Sequence, residues 1–180
     1  MRKLPSRHTQ PTGTPAGRRL TPVLLDRLTD QAPHEKREAD GAFMLTRALL
    51  RESVLRDLRW LLNTTNLEAT VDLAPYAGVR ESVINFGTGA LAGLRMSEIE
   101  WTDIERTIRE AILAFETRIV PDSLQVKCVE NNSDSLLHHN LLVLEIRGQI
   151  WAVPYPFEFV FRSEVDLENG YMVLQAPGNE

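Results

Sequence analysis

The sequence predicts an α+β fold: two main amphipathic helices plus a short one, packed on a small, mainly antiparallel sheet from the C-terminal third. Two observations carry this. Apolar residues recur at helical spacing in two stretches before Pro121. After Pro121 the apolar period falls from about 3.6 residues to about 2. Helices first and strands afterwards is the order of an α+β chain, not of alternating β-α units. A length of 180 residues suits one domain with a tail. The expected division is a disordered basic tail over 1–20, a docking segment and linker over 21–41, and a single α+β domain over 42–176.

Residues 1–20 carry Arg2, Lys3, Arg7, Arg18 and Arg19, no acid, three prolines and two glycines, a composition that cannot bury enough apolar surface to order itself. They contribute +5, which leaves −10 on the rest of a chain whose net charge is −5. Such a tail is a solvated segment, or one that folds back on the acidic body or meets an acidic partner. An apolar island follows: Leu24, Leu25, Asp26, Arg27 and Leu28, with Pro22 suited to the first position of a short helix and Thr21 to its cap. An island on a polar tether has the shape of a docking peptide, and packing on its own domain is the alternative.

From Phe43 to about Leu62 the pattern is helical, with Leu50, Val54, Leu58 and Leu61 on one stripe and Asn63 to Asn66 as the stop. Arg47 and Arg51 fall inside the apolar arc, where a guanidinium needs a carboxylate partner or must snorkel out of a helix end. Residues 67–96 are less regular. Pro75-Tyr76 opens a turn, a short helix holds Val79, Val83 and Ile84, and Gly87, Gly89 and Gly93 read as a flexible linker, not spaced as a phosphate loop. The second strong helix spans about Glu98 to Arg118. Its stripe is Trp101, Ile104, Ile108, Ala111, Ile112 and Phe115, and Ser97-x-x-Glu100 and Thr102-x-x-Glu105 are rival capping boxes.

Beyond Pro121, Leu124, Val126 and Cys128 alternate as a half-buried strand, and Glu130 to Asn140 is loop-like. Leu141 to Ile146 is a strand, Gly148-Gln149 a turn, and Phe157, Phe159 and Phe161 alternate again. Asn169-Gly170 is a hairpin signal before Tyr171 to Leu174.

The acidic balance argues against a nucleic-acid binder. No stretch approaches the ~20 apolar residues of a membrane span, and the N-terminus lacks the apolar core of a signal peptide, so a cytoplasmic protein without membrane insertion is expected. Cys128, the single cysteine, sits on an apolar alternation that suits an inert core thiol. His8, His34, His138 and His139 match no zinc spacing. No catalytic residue, metal, cofactor or small-molecule substrate is expected. One constellation is unusual: Phe115-Glu116-Thr117-Arg118-Ile119. Arg118 suits a helix C-terminus and Glu116 does not. Glu116 therefore has another role, either pairing with a buried arginine such as Arg51 or meeting a partner protein.

Several pieces, in order, are similar to a known family: Leu24 to Leu28, Arg51 to Thr64, Ser82 to Gly87, Ile108 to Ile112, Phe115 to Ile119, and Asp166 to Gly170. From about Leu24 to Leu174 the chain resembles the TssE family of type VI secretion baseplate subunits. More broadly it resembles the phage baseplate sheath-initiator family once labelled lysozyme-like. The family hallmark is Glu-Pro-Arg. Glu116 and Arg118 match its outer members, and Thr117 replaces the proline. The resemblance implies a structural role on the cytoplasmic side of the inner membrane. Glu116 and Arg118 would contact the TssF and TssG wedge, and a sheet edge would template the TssB/TssC sheath by strand addition. The rival expectations are a peptidoglycan hydrolase and an adaptor of another phage-like contractile machine.

Overall fold

The computed structural model describes residues 22–29, 33–34, 46–92, 100–129 and 141–176. The expected tail over 1–20, the linker apart from 33–34, the loop over 130–140 and the Ser97 cap lie outside these residues. The chain divides into two units, Met1–Leu45 and Thr46–Glu180. In the first, helix α1 spans Leu24–Leu28 and buries none of its residues. Its N-cap is Val23, without a side-chain bond, so Pro22 lies one residue ahead of the cap and not at the first helical position. Thr29 ends it, donating through both N–H and Oγ1 to Leu25 O.

In the second unit, α2 spans Arg47–Leu62. The Thr46 hydroxyl caps it by accepting from Leu49 N at 3.2 Å, which satisfies one of the free N–H groups of the first turn. Leu50, Val54, Leu55, Leu58, Leu61 and Leu62 form its buried face. Arg47 and Arg51 are not buried among the leucines. Each guanidinium lies 5.7 Å from the centre of the Phe157 ring, and Arg51 Nη2 donates to Glu158 O at 3.3 Å. Stacking on an aromatic face lets a cation cover apolar surface while staying in water.

The expected short helix is two pieces, α3 over Ala77–Arg80 and a 3-10 turn over Val83–Asn85. Asn85 is buried and clips the segment shut: its Oδ1 accepts from Glu68 N at 2.9 Å and its Nδ2 donates to Arg80 O at 3.0 Å. Gly87 is no linker. It adopts φ +130°, and a Cβ there would stand 2.3 Å from Thr64 O. Only glycine lets the two backbones approach so closely, and Thr88 then pairs with Thr64 and Asn66.

Helix α4 spans Trp101–Phe115, with Glu100 at the N-cap position and no side-chain cap. Thr102 is therefore inside the helix and caps nothing. Ile104, Ile108 and Ile112 are buried as their spacing predicts, and Phe115 meets Phe86 edge-on, ring centres 5.3 Å apart.

Four strands follow: β1 (Gln125–Val129), β2 (Leu141–Ile150), β3 (Phe157–Asp166) and β4 (Met172–Gln175). They form one antiparallel sheet in chain order. Gly148-Gln149 is not a turn; β2 runs through it, and Gly148 stands opposite Phe159. A Cβ at Gly148 would lie 3.1 Å from the Phe159 ring, so the glycine makes room for an aromatic side chain. Before β1, Ile119 already pairs with Ile150, and a 3-10 turn over Pro121–Ser123 separates that bridge from the strand. The Asn169-Gly170 signal closes the β3–β4 connection, with Gly170 at φ +72° and its N–H on Asp166 O at 2.7 Å. One sheet face carries the core, including Val126, Leu144, Ile146, Phe159, Phe161, Met172 and Leu174. Helix α2 packs beside β4, α4 beside β1, and the two helices touch each other.

Candidate functional site

The segment after α4 builds a charged knot. Glu116 ends the helix, its N–H on Ile112 O at 2.8 Å, and the chain then turns through Thr117. Glu116 closes this turn with its own side chain: Oε1 accepts from Arg118 N at 3.0 Å and from Arg118 Nε at 2.7 Å. Ile119 N adds a bond to Glu116 O at 3.3 Å. The carboxylate thus restrains the turn through Thr117. Arg118 Nη2 donates to the second Glu116 oxygen and, at 2.6 Å, to Asp57 Oδ2, while Nη1 donates to Ser53 Oγ at 2.9 Å.

Glu116 is 6% exposed and the Arg118 side chain 19%. Burial alone would lower the pKa of the Arg118 guanidinium, but the hydrogen bonds and charges of Glu116 and Asp57 outweigh it and push the pKa above its ordinary value. The cation is permanent, and breaking the group would strand buried charge. The knot ties α2 to the end of α4. It also continues outward: Arg56 bonds Asp57 and Ser53 and lies 5.3 Å from the centre of the half-exposed Trp60 ring.

Arg51 takes no part; it is over Phe157. Ser53 and Asp57 were missed in the sequence. Their signal was there, two polar residues four apart that share a helix face with the leucine arc. Leu24, Leu25, Asp26, Arg27 and Leu28 belong to α1 in the other unit, with Leu24, Leu25 and Leu28 exposed. Cys128, expected as a core thiol, is half-buried, and its pKa is pushed up to about 11, by burial first and the Glu105 charge second. Among the described residues no cluster of three or more His, Cys, Asp or Glu could hold a metal ion.

The sheet has two edges, β1 and β4. In an antiparallel edge strand, alternate residues turn both backbone groups away from the sheet. On β4 these are Met172 and Leu174. Asn63 at the end of α2 takes both Met172 groups, accepting from N at 2.8 Å and donating to O at 2.9 Å. Arg59, one helical turn earlier, donates to Leu174 O at 2.9 Å. On β1 the outward residues are Val126 and Cys128. Here α4 supplies a pair with the same spacing: Glu105 accepts from Cys128 N at 2.8 Å, and Arg109 donates to Leu124 O, just before the strand, at 3.3 Å. Between them Val126 N–H and C=O have no hydrogen-bond partner among the described residues.

The family model described as baseplate wedge protein gp25 matches residues 48–155, which include all but the first residue of α2, the knot, β1 and β2. No curated protein and no solved structure gives a significant match.

Proposed function

Because this chain belongs to the baseplate wedge protein gp25 family, a family of structural baseplate subunits, we propose that it is the TssE-type subunit of a type VI secretion baseplate. It docks on the TssF and TssG wedge and offers a sheet edge to the TssB/TssC sheath. The observation that carries this reading is the Glu116–Arg118 knot. The two matching members of the family tripeptide meet across one turn and lock α2 against α4, which holds the neighbouring surface of Arg56 and Trp60 in a fixed shape. A pre-formed surface with Trp and Arg on it is the composition of a protein interface. In this reading the knot serves the wedge contact by holding that surface, and α1, with three exposed leucines, is a second contact.

The sheath step needs no turnover. Several copies held in a ring present strand edges together, so the first sheath subunits meet a high effective concentration of partners and nucleate there. The assembly works on the cytoplasmic side of the inner membrane, and no helix among the described residues is long and apolar enough to cross a membrane. The hydrolase alternative would need Glu116 as a free acid, whereas both its carboxylate oxygens are engaged by Arg118.

Co-expression of the tagged chain with TssF and TssG from the same genome, followed by size-exclusion chromatography, tests the wedge role. A complex that survives the column is expected. A chain that elutes alone, from wild-type protein that is folded, would refute it.

A further inference from the structure

Arg47 and Arg51 are exposed, stand one helical turn apart, and both lie 5.7 Å from the centre of the same Phe157 ring. Among the described residues neither forms an ion pair. The first turn of α2 holds no acid. Glu52 follows Arg51 directly, and successive side chains on a helix do not face each other. Glu158 follows Phe157 on β3, so its carboxylate points to the opposite side of the sheet from the ring. One guanidinium is enough to cover an aromatic face. A second cation one turn away destabilises the helix, so covering Phe157 does not account for the pair.

The ground beside the pair is firm and suits a protein partner. Trp151 and Tyr155, in the β2–β3 connection that leads into Phe157, are 53% and 72% exposed. The connection is anchored at both ends: Trp151 N–H donates to Arg118 O at 2.7 Å, and Phe157 pairs with Ile150. Trp, Tyr and Arg are enriched in protein interfaces and dominate their energetics. Arg56 and Trp60 belong to a different surface, because the helical period puts them on the other side of α2.

We propose that Arg47, Arg51, Trp151 and Tyr155 form a separate docking surface whose occupant is an acidic segment of another protein. The two guanidiniums take its carboxylates, and the two aromatic side chains cover its apolar atoms. Each arginine offers a planar fork that matches a carboxylate through paired N–H donors. Stacking on Phe157 holds both forks in place beforehand, and Arg51 Nη2 is also fixed by Glu158 O at 3.3 Å. The surface lies apart from Arg56 and Trp60, so it goes beyond the wedge reading and does not depend on it.

Titration of the full chain with an N-acetylated tetraglutamate peptide at low salt, read by NMR on arginine Nε–H and tryptophan indole signals, tests this. Arg47, Arg51 and Trp151 should shift together and saturate. Arg147 and Arg162, which already hold Glu145, should stay where they are. In Arg47→Gln/Arg51→Gln the affinity should fall roughly tenfold or more, as the loss of charge-assisted hydrogen bonds implies. Arg47→Gln alone, with a smaller fall, serves if the pair melts early, because Arg51 then keeps its bond to Glu158 O. Shifts that do not saturate, or that spread equally over Arg147 and Arg162, would overturn the site. So would a double variant that binds as well as wild type. Inorganic phosphate that saturates the same signals at lower concentration than the peptide would overturn the acidic segment as occupant. The same holds for shifts that appear when the chain alone is concentrated, which would make the occupant a second copy.

Discussion

The two sheet edges are closed by the same device made from different chemistry. Each helix beside an edge presents two polar side chains four residues apart: Arg59 and Asn63 from α2 to β4, Glu105 and Arg109 from α4 to β1. The difference lies in what each side chain can do. An amide has a donor and an acceptor in peptide-like geometry, so Asn63 alone completes Met172. A carboxylate only accepts and a guanidinium only donates, so the α4 pair closes one group each and passes over Val126. How firmly an edge is sealed thus depends less on the strand than on the side chains that the neighbouring helix brings to it.

Four substitutions or measurements break or sharpen that comparison, in falling order of effect. Arg118→Ala should undo both closures at once, because it cuts the tie between α2 and α4 and leaves Glu116 buried without a cation. A loss of about 3 kcal/mol in denaturant unfolding is expected, and a loss under half of that would mean the knot is not what sets the helices. Asn63→Ala opens β4 and removes its three side-chain hydrogen bonds, for about 2 kcal/mol, with new concentration-dependent association in sedimentation. Glu105→Ala should cost less, about 1 kcal/mol, because only Cys128 N loses a strong partner. If it destabilised as much as Asn63→Ala, the two edges would be equally sealed.

The smallest effect is on Cys128. With its pKa near 11 instead of the ordinary 9.0, the thiol at pH 8 carries a far smaller thiolate fraction. Reactivity with a thiol reagent should therefore be low and climb only as pH rises toward 11. Glu105→Ala, by removing a nearby negative charge, should lower the pKa and speed labelling. Equal labelling in both proteins would show that Glu105 is not seated at the β1 edge.

Much of the frame was legible because it follows local periodicity. Ile104, Ile108 and Ile112 lie where a helical stripe puts them, and Phe157, Phe159 and Phe161 where a strand does. Glu116 stood out because a carboxylate is unfavourable at a helix C-terminus. What escaped were features settled between distant segments. Gly148 carries a turn signal locally, yet the Phe159 ring occupies the space it leaves. Gly87 reads as flexibility, yet the Thr64 carbonyl makes it obligatory. Asn63 reads as a helix stop, which it is, but its second partner lies 109 residues further on. The knot was half visible for the same reason: Glu116 and Arg118 are neighbours, while Ser53 and Asp57 are more than 60 positions away.

That separation has a consequence for how the molecule comes into being. During synthesis α2 leaves the ribosome first, and Met172, the partner of Asn63, is made 109 residues later. At about 5–20 residues per second, that interval lasts roughly 5–20 seconds. Throughout it Asn63 lacks that strand, and the apolar face of α2 lacks Met172 and Leu174. The last seam of the domain can be sewn only when β4 has emerged, so the nascent chain is most open to misassociation just before its final strand appears.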